Sequence, residues 1–143
     1  MLISTKGRYA LRVLVDMAEH SAGKYIKLSD IAKRQEISGK YLESIVKELV
    51  RNNILVGLRG KGGGYKLARK PDEIIVGNVL RLMEGGLSPV ACLEDSSRIC
   101  PRISECRTLD FWKGLDQVIR QYIDSYTIAD LMCRDESGND YII

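Results

Sequence analysis

This sequence predicts a mainly α fold with one small β-hairpin wing: a winged helix-turn-helix followed by a long C-terminal dimerisation helix. Three observations lead there. Apolar residues recur at spacings of three and four through three successive N-terminal segments. A glycine-rich run then separates two short β-type segments, and beyond it a polar loop with three cysteines precedes a helix with a broad apolar stripe.

The first helix is expected from Ser4 to about His20, where Ala10, Leu11, Leu14, Met17 and Ala18 mark one buried face. Ser21-Ala22-Gly23 ends it. A short second helix runs from about Ser29 to Gln35 with Ile31 and Ala32 inward, and Ser38 then caps a third helix. That helix places Leu42, Ile45, Val46 and Leu49 on one face and Lys40, Tyr41, Glu43, Ser44 and Lys47 on the other. Asn52-Asn53 breaks it, Ile54-Leu55-Val56 and Tyr65-Lys66-Leu67 read as strands, and Arg59-Gly60-Lys61-Gly62-Gly63-Gly64 is the turn between them. A hairpin in that place is a wing.

Past Lys70-Pro71, Val76, Val79, Leu80 and Met83 fit a short helix that Gly85-Gly86 terminates. From Thr108, the expected N-cap, a longer helix carries Phe111, Leu115, Val118, Ile119, Tyr122 and Tyr126 on one side, with Trp112 and Ile123 widening the stripe. A helix so apolar, outside the winged core, is expected to pair with its copy in a homodimer. Thr127-Ile128-Ala129-Asp130 reads as a capping box for a last short helix, and Ser137-Gly138-Asn139-Asp140 as a frayed tail. The expected organisation is thus a winged helix-turn-helix domain over 1–86, a cysteine-bearing loop over 87–107, the dimerisation and terminal helices over 108–133, and a tail over 134–143.

At 143 residues, 45% hydrophobic and 29% charged, the chain can bury a core of its own. No run approaches the roughly 18 apolar residues of a membrane span, and MLISTKGRYA lacks the features of a signal peptide, so a cytoplasmic protein is expected. The net charge of +3 conceals an asymmetry: residues 1–70 carry +9 and residues 71–143 carry −6. A basic half of this size suits a polyanion, and double-stranded DNA is the expected partner. The outward residues of the third helix suit a major groove, where lysine reaches guanine acceptors or phosphate, serine several base edges, and glutamate the cytosine amino group. At the wing tip Arg59, Gly60 and Lys61 would enter a narrow minor groove, whose negative potential attracts cations. The glycine run lacks the strand-loop-helix setting of a P-loop. With one histidine and no nucleophile beside a base, catalysis is not expected.

Four stretches carry a resemblance: Ser4-Thr5-Lys6-Gly7-Arg8-Tyr9-Ala10, Leu28-x-Asp30-Ile31-Ala32, Tyr41-Leu42-Glu43 and Arg59-Gly60-x-x-Gly63-Gly64-Tyr65. In order and spacing they resemble the family of winged-helix repressors and activators that includes IscR, NsrR and CymR, and the likeness extends to about Leu131. It implies a homodimer on an inverted-repeat operator, with the third helix in the major groove and the wing in the minor groove. By that resemblance Lys40, Tyr41, Glu43 and Ser44 would face bases or phosphates and Arg59 the minor groove; with Ser38 at the helix start and Gly60 and Lys61 at the wing tip they make up the expected DNA contact.

The stretch CLEDSSRICPRISEC, from Cys92 to Cys106, leaves three chemistries open from its residues alone. Zinc usually shows a ligand pair two to four residues apart, which Cys92, Cys100 and Cys106 do not form. A thiol switch needs two cysteines and a lowered thiolate pKa, for which Arg98, Arg102 and Arg107 help. An iron–sulfur cluster takes thiolates as its normal ligands. The resemblance selects the third, because IscR-like and NsrR-like members hold a cluster on three cysteines in this loop, so Cys92, Cys100 and Cys106 become the implied iron ligands, of a [2Fe–2S] in preference to a [4Fe–4S] centre. CymR-like members lack the triad. Leu109 stands where IscR-like proteins have a histidine, and Arg8 where NsrR-like proteins have a carboxylate, so the fourth ligand is unassigned. Glu94, Asp95, Glu105, Thr108 and Asp110 are within reach in sequence, whereas Cys133 reads as a buried thiol and His20 as a helix end. A cluster-free repressor of the same fold, sensing thiol redox state or a small metabolite, is the alternative.

Overall fold

Ser4 opens the first helix because its Oγ accepts from the Gly7 N–H at 3.3 Å, satisfying one of the donors that a helix start leaves free. The computed structural model describes residues 1–95 and 98–132. Cys133 and the tail segment Ser137–Asp140 lie outside the described residues. Among the described residues six α-helices and one hairpin follow in order: α1 (Thr5–His20), α2 (Leu28–Gln35), α3 (Gly39–Arg51), β1 (Leu55–Leu58), β2 (Gly64–Leu67), α4 (Val76–Glu84), α5 (Leu109–Asp124) and α6 (Ile128–Leu131). The predicted mainly α winged helix-turn-helix is what forms.

The core collects the apolar stripes read from the sequence: Leu14 and Met17 of α1, Ile31 of α2, Leu42, Ile45 and Leu49 of α3, and Val79 of α4 are all fully buried. Between α2 and α3 the chain turns within three residues, and Glu36 pays for the tightness with a left-handed backbone at φ 54°. The hairpin is antiparallel in the register Leu55↔Leu67 to Leu58↔Gly64. Ile26 adds a further bridge, exchanging both backbone bonds with Tyr65 at 2.8 Å, so the wing is pinned to the segment before α2. Gly64 permits that approach, since a Cβ there would overlap the Ile26 carbonyl.

Gly85 stops α4 in the left-handed region at φ 75°, as its place after the last apolar residue predicts. At the other end of the chain, the Thr127–Asp130 capping box is complete, with Thr127 Oγ1 accepting from Asp130 N–H and Asp130 Oδ2 accepting from Thr127 N–H. It delivers Ile128, fully buried, into the winged-helix core, where Ile128 N–H donates to Ile74 O at 2.9 Å.

α5 differs from every other long helix in burying no residue. Its exposed apolar side chains, Phe111, Leu115, Val118 and Tyr122, recur at spacings of four, three and four, the seam of a coiled coil. The opposite side meets α4: Gly77 leaves room for Asp124 and Ile123, and Arg81 pairs with Asp124 at 2.6 Å. No helix among the described residues is long and apolar enough to cross a membrane.

Candidate DNA interface and cysteine loop

The surface of α3 is built from its N-cap. Ser38 Oγ accepts from the Tyr41 N–H at 3.2 Å, and the Ser44 hydroxyl donates to the Tyr41 carbonyl at 2.7 Å. Both serines therefore shape the helix as well as stand on its outer face. Lys40, Glu43, Ser44 and Lys47 are exposed, as the periodicity predicts, and Glu43 lies 3.6 Å from Lys47 one turn on. Tyr41 is different. Its half-buried ring packs edge-on against Tyr9 at 5.9 Å, and the Arg12 guanidinium lies over Tyr9 at 4.9 Å.

Arg59, Gly60 and Lys61 are exposed at the wing tip. The tip closes by a Gly63 N–H to Gly60 carbonyl bond of 3.0 Å, with Gly60 at φ 94° and Gly62 at φ 76°, values that only glycine adopts without strain. Between α3 and the wing lies a groove of about 490 Å³ lined by Lys47, Val50 and Arg51 of the helix and Leu58, Arg59 and Tyr65 of the wing. The outer-face reading of α3 did not place Arg51 here. Its only sequence signal was charge, and hairpin pairing is what brings it beside Arg59.

Behind the helix-turn-helix sits a polar group that periodicity did not single out. Asp16, its side chain fully buried, accepts from Arg34 Nε at 2.9 Å, Arg34 Nη2 at 2.7 Å and Gln35 Nε2 at 2.8 Å. Burial pushes this carboxyl up, but the hydrogen bonds from Arg34 and Gln35 and the Arg34 charge outweigh it and hold the group below its ordinary value. The available signal was an aspartate on the apolar face between Val13 and Met17. His20 belongs to the same corner, with Nδ1 2.8 Å from the Asp16 carbonyl oxygen.

The cysteine loop is anchored at both ends. Cys92 lies half-buried in a 3-10 turn, Ala91–Leu93, and Cys106 is exposed after a second, Ile103–Glu105. Cys100 between them is half-buried, and all three are free thiols. Thr108 stands at the N-cap position of α5 but makes no capping bond. Its Oγ1 instead lies 3.5 Å from Cys106 Sγ. Hydrogen bonds with Thr108, side chain first and then backbone, hold the Cys106 thiol below its ordinary range, and Arg102 adds its charge. Among the described residues no three His, Cys, Asp or Glu side chains are gathered closely enough to hold a metal ion. The donor set nonetheless fits an iron–sulfur group, since three soft, uncombined thiols share one solvent-accessible loop. Glu94 among the sequence candidates is already engaged, accepting from the Ser88 N–H at 2.9 Å.

Comparison with known proteins agrees with this architecture. A family described as "Rrf2: Iron-dependent Transcriptional regulator" matches residues 3–134. Protein rrf2 of Nitratidesulfovibrio vulgaris is 37% identical over 137 residues, covering 96% of this chain and 90% of that protein. The HTH-type transcriptional regulator IscR of Aliivibrio salmonicida is 34% identical over 136 residues, covering 95% and 80%. Among solved structures, that of CymR, the global cysteine regulator of B. subtilis, superposes with a TM-score of 0.73 at 31% identity, covering 92% of this chain and 95% of that one.

Proposed function

The chain belongs to the Rrf2 family of transcriptional regulators, and from that premise we propose that it is a homodimer whose binding to an inverted-repeat operator is modulated by an iron–sulfur cluster on Cys92, Cys100 and Cys106. One observation carries this reading: the three-thiol loop joins α4 of the winged helix directly to α5, whose Phe111, Leu115, Val118 and Tyr122 form an exposed apolar seam. The family's own description as iron-dependent and the likeness to IscR support it.

In a twofold dimer the two α3 helices would enter successive major grooves about 34 Å apart, which is why an inverted repeat is the matching operator. Lys40, Glu43 and Ser44 would meet base edges and phosphates, with Tyr41 held against Tyr9 so that only its rim reaches the DNA. Ser38 would set the helix start, and Arg59, Gly60 and Lys61 would reach the minor groove. When bound, a [2Fe–2S] centre supplies a redox-responsive staple across the loop. Cys92, Cys100 and Cys106 would hold it, two of them in or beside the two 3-10 turns, and ordering of that loop would bear on α5, which follows it.

Anaerobic reconstitution with iron and sulfide, followed by visible absorption and iron and sulfide analysis, tests the reading. Wild type takes up both, and Cys92→Ser, Cys100→Ser and Cys106→Ser each lose most of the colour. A colourless wild type that still binds its operator would favour the cluster-free thiol sensor, for which the exposed Cys106 thiol, 3.5 Å from Thr108 Oγ1, is the supporting observation.

A further inference from the structure

The first turn of the cysteine loop is tied to α5 by a polar junction that the sequence did not reveal. Ser88, buried beside Leu87 of the core, has every polar group of its residue engaged toward the loop or α5 except its carbonyl. Its N–H donates to Glu94 Oε1 at 2.9 Å, its hydroxyl donates to the Leu93 carbonyl at 3.1 Å, and the same oxygen accepts from Arg120 Nη2 at 3.4 Å. Gly86 makes the grip possible, because a Cβ there would overlap the Glu94 carboxylate. On α5, Arg120 Nε donates to Asp116 Oδ2 at 2.8 Å, and the charges of Asp95 and Glu94 act on the same guanidinium. Leu93 and Glu94 immediately follow Cys92, so any movement of that thiol bears on Ser88.

Two details of this junction bear on how firmly Arg120 is held. The Ser88–Arg120 contact is long for a hydrogen bond, while Asp116 Oδ1 is buried with no hydrogen-bond partner among the described residues. A guanidinium can fork onto both oxygens of a carboxylate. Arg120 is shared between Asp116 and Ser88, and the unpartnered Oδ1 offers it a second arrangement, turned wholly onto Asp116. The first couples α5 to the loop and the second releases it.

We propose that Arg120 is the positioning residue that relays the state of the Cys92 turn to α5, by exchanging its Ser88 contact for a bidentate grip on Asp116. The proposal rests on the reading of the loop as a sensor, and its test separates the two. Amide hydrogen exchange on the full chain, with no iron or sulfide added, is measured for Glu94→Ala, Arg120→Met and the double variant. Glu94→Ala is expected to speed exchange over 91–95 and, in the presence of Arg120, to change it by about threefold or more over 116–123. In the Arg120→Met background the first effect stays and the second vanishes. Additive effects of the two substitutions, or unchanged exchange over 116–123 in Glu94→Ala, overturn the relay. Arg120→Lys keeps the charge without the fork and is expected to behave like Arg120→Met, so it serves if the methionine variant does not fold. The same proteins are then reconstituted with iron and sulfide. Failure of wild type to take up iron defeats the sensor reading and leaves the exchange result standing. Protection of α5 on loading that persists in Arg120→Met overturns the relay.

Discussion

Asp16→Asn probes the joint on which the helix-turn-helix rests. The wild-type carboxylate is fully buried and takes three hydrogen bonds, two from the Arg34 fork and one from Gln35 Nε2, which Arg12 Nε also holds through Gln35 Oε1 at 3.1 Å. Asparagine keeps the volume but loses the charge; with its oxygen at the Oδ2 position it keeps the bonds from Arg34 Nε and Gln35 Nε2 and turns its amide donor toward Arg34 Nη2, so one bond is lost and the charge with it. Bonds to a charged group contribute about 1.5–3 kcal/mol each, but the Arg34 side chain is 34% exposed and recovers water, so the net loss is about 2 kcal/mol at pH 7. For a chain of this size that is a fall of about 8 °C in Tm. Because the folded carboxyl is held below its ordinary value, its contribution is fully present above the unfolded pKa of about 3.9 and is lost as pH falls through the lower folded value. Urea unfolding followed by far-UV circular dichroism, at one protein concentration, should show a gap between wild type and variant that narrows from pH 7 to pH 3. A gap below about 0.5 kcal/mol at pH 7, or one that stays constant with pH, would refute the account.

Other substitutions address the surfaces. Glu43→Ala should lower discrimination between a selected operator fragment and its base-substituted versions by about fivefold, with non-specific affinity little changed; a uniform loss for all sequences in fluorescence anisotropy counts against a selecting role. Val118→Glu, at the centre of the α5 seam, should raise the dimer Kd by about tenfold or more in sedimentation velocity, and an unchanged value would remove α5 from the interface. Gly64→Ala drives a Cβ into the Ile26 carbonyl and should cost about 2–4 kcal/mol in thermal unfolding, together with the wing's share of DNA affinity.

Much of this protein was legible in its sequence because the relevant relations are short. An apolar residue every three or four positions defines a buried face, a serine before such a run caps it, and a glycine after it stops it. These marks located α1, α3, α4 and α5, and the glycine run located the wing between two strands. The charge asymmetry and the three thiols were equally visible as composition. Tertiary structure alone decided the contacts between groups far apart in the chain. Ser4 finds Glu84 across a separation of 80 residues, Ser88 finds Arg120 across 32, and Ile128 returns to the core beside Ile74. Thr108 has the residue type and the position of a cap, yet its hydroxyl faces Cys106, and its backbone is helical rather than extended as at the capping Ser4, Ser38 and Thr127. Such choices have no local periodicity. A polar side chain's partner is set by which segments the folded chain brings together, and burial makes each pairing matter by removing water as the alternative partner.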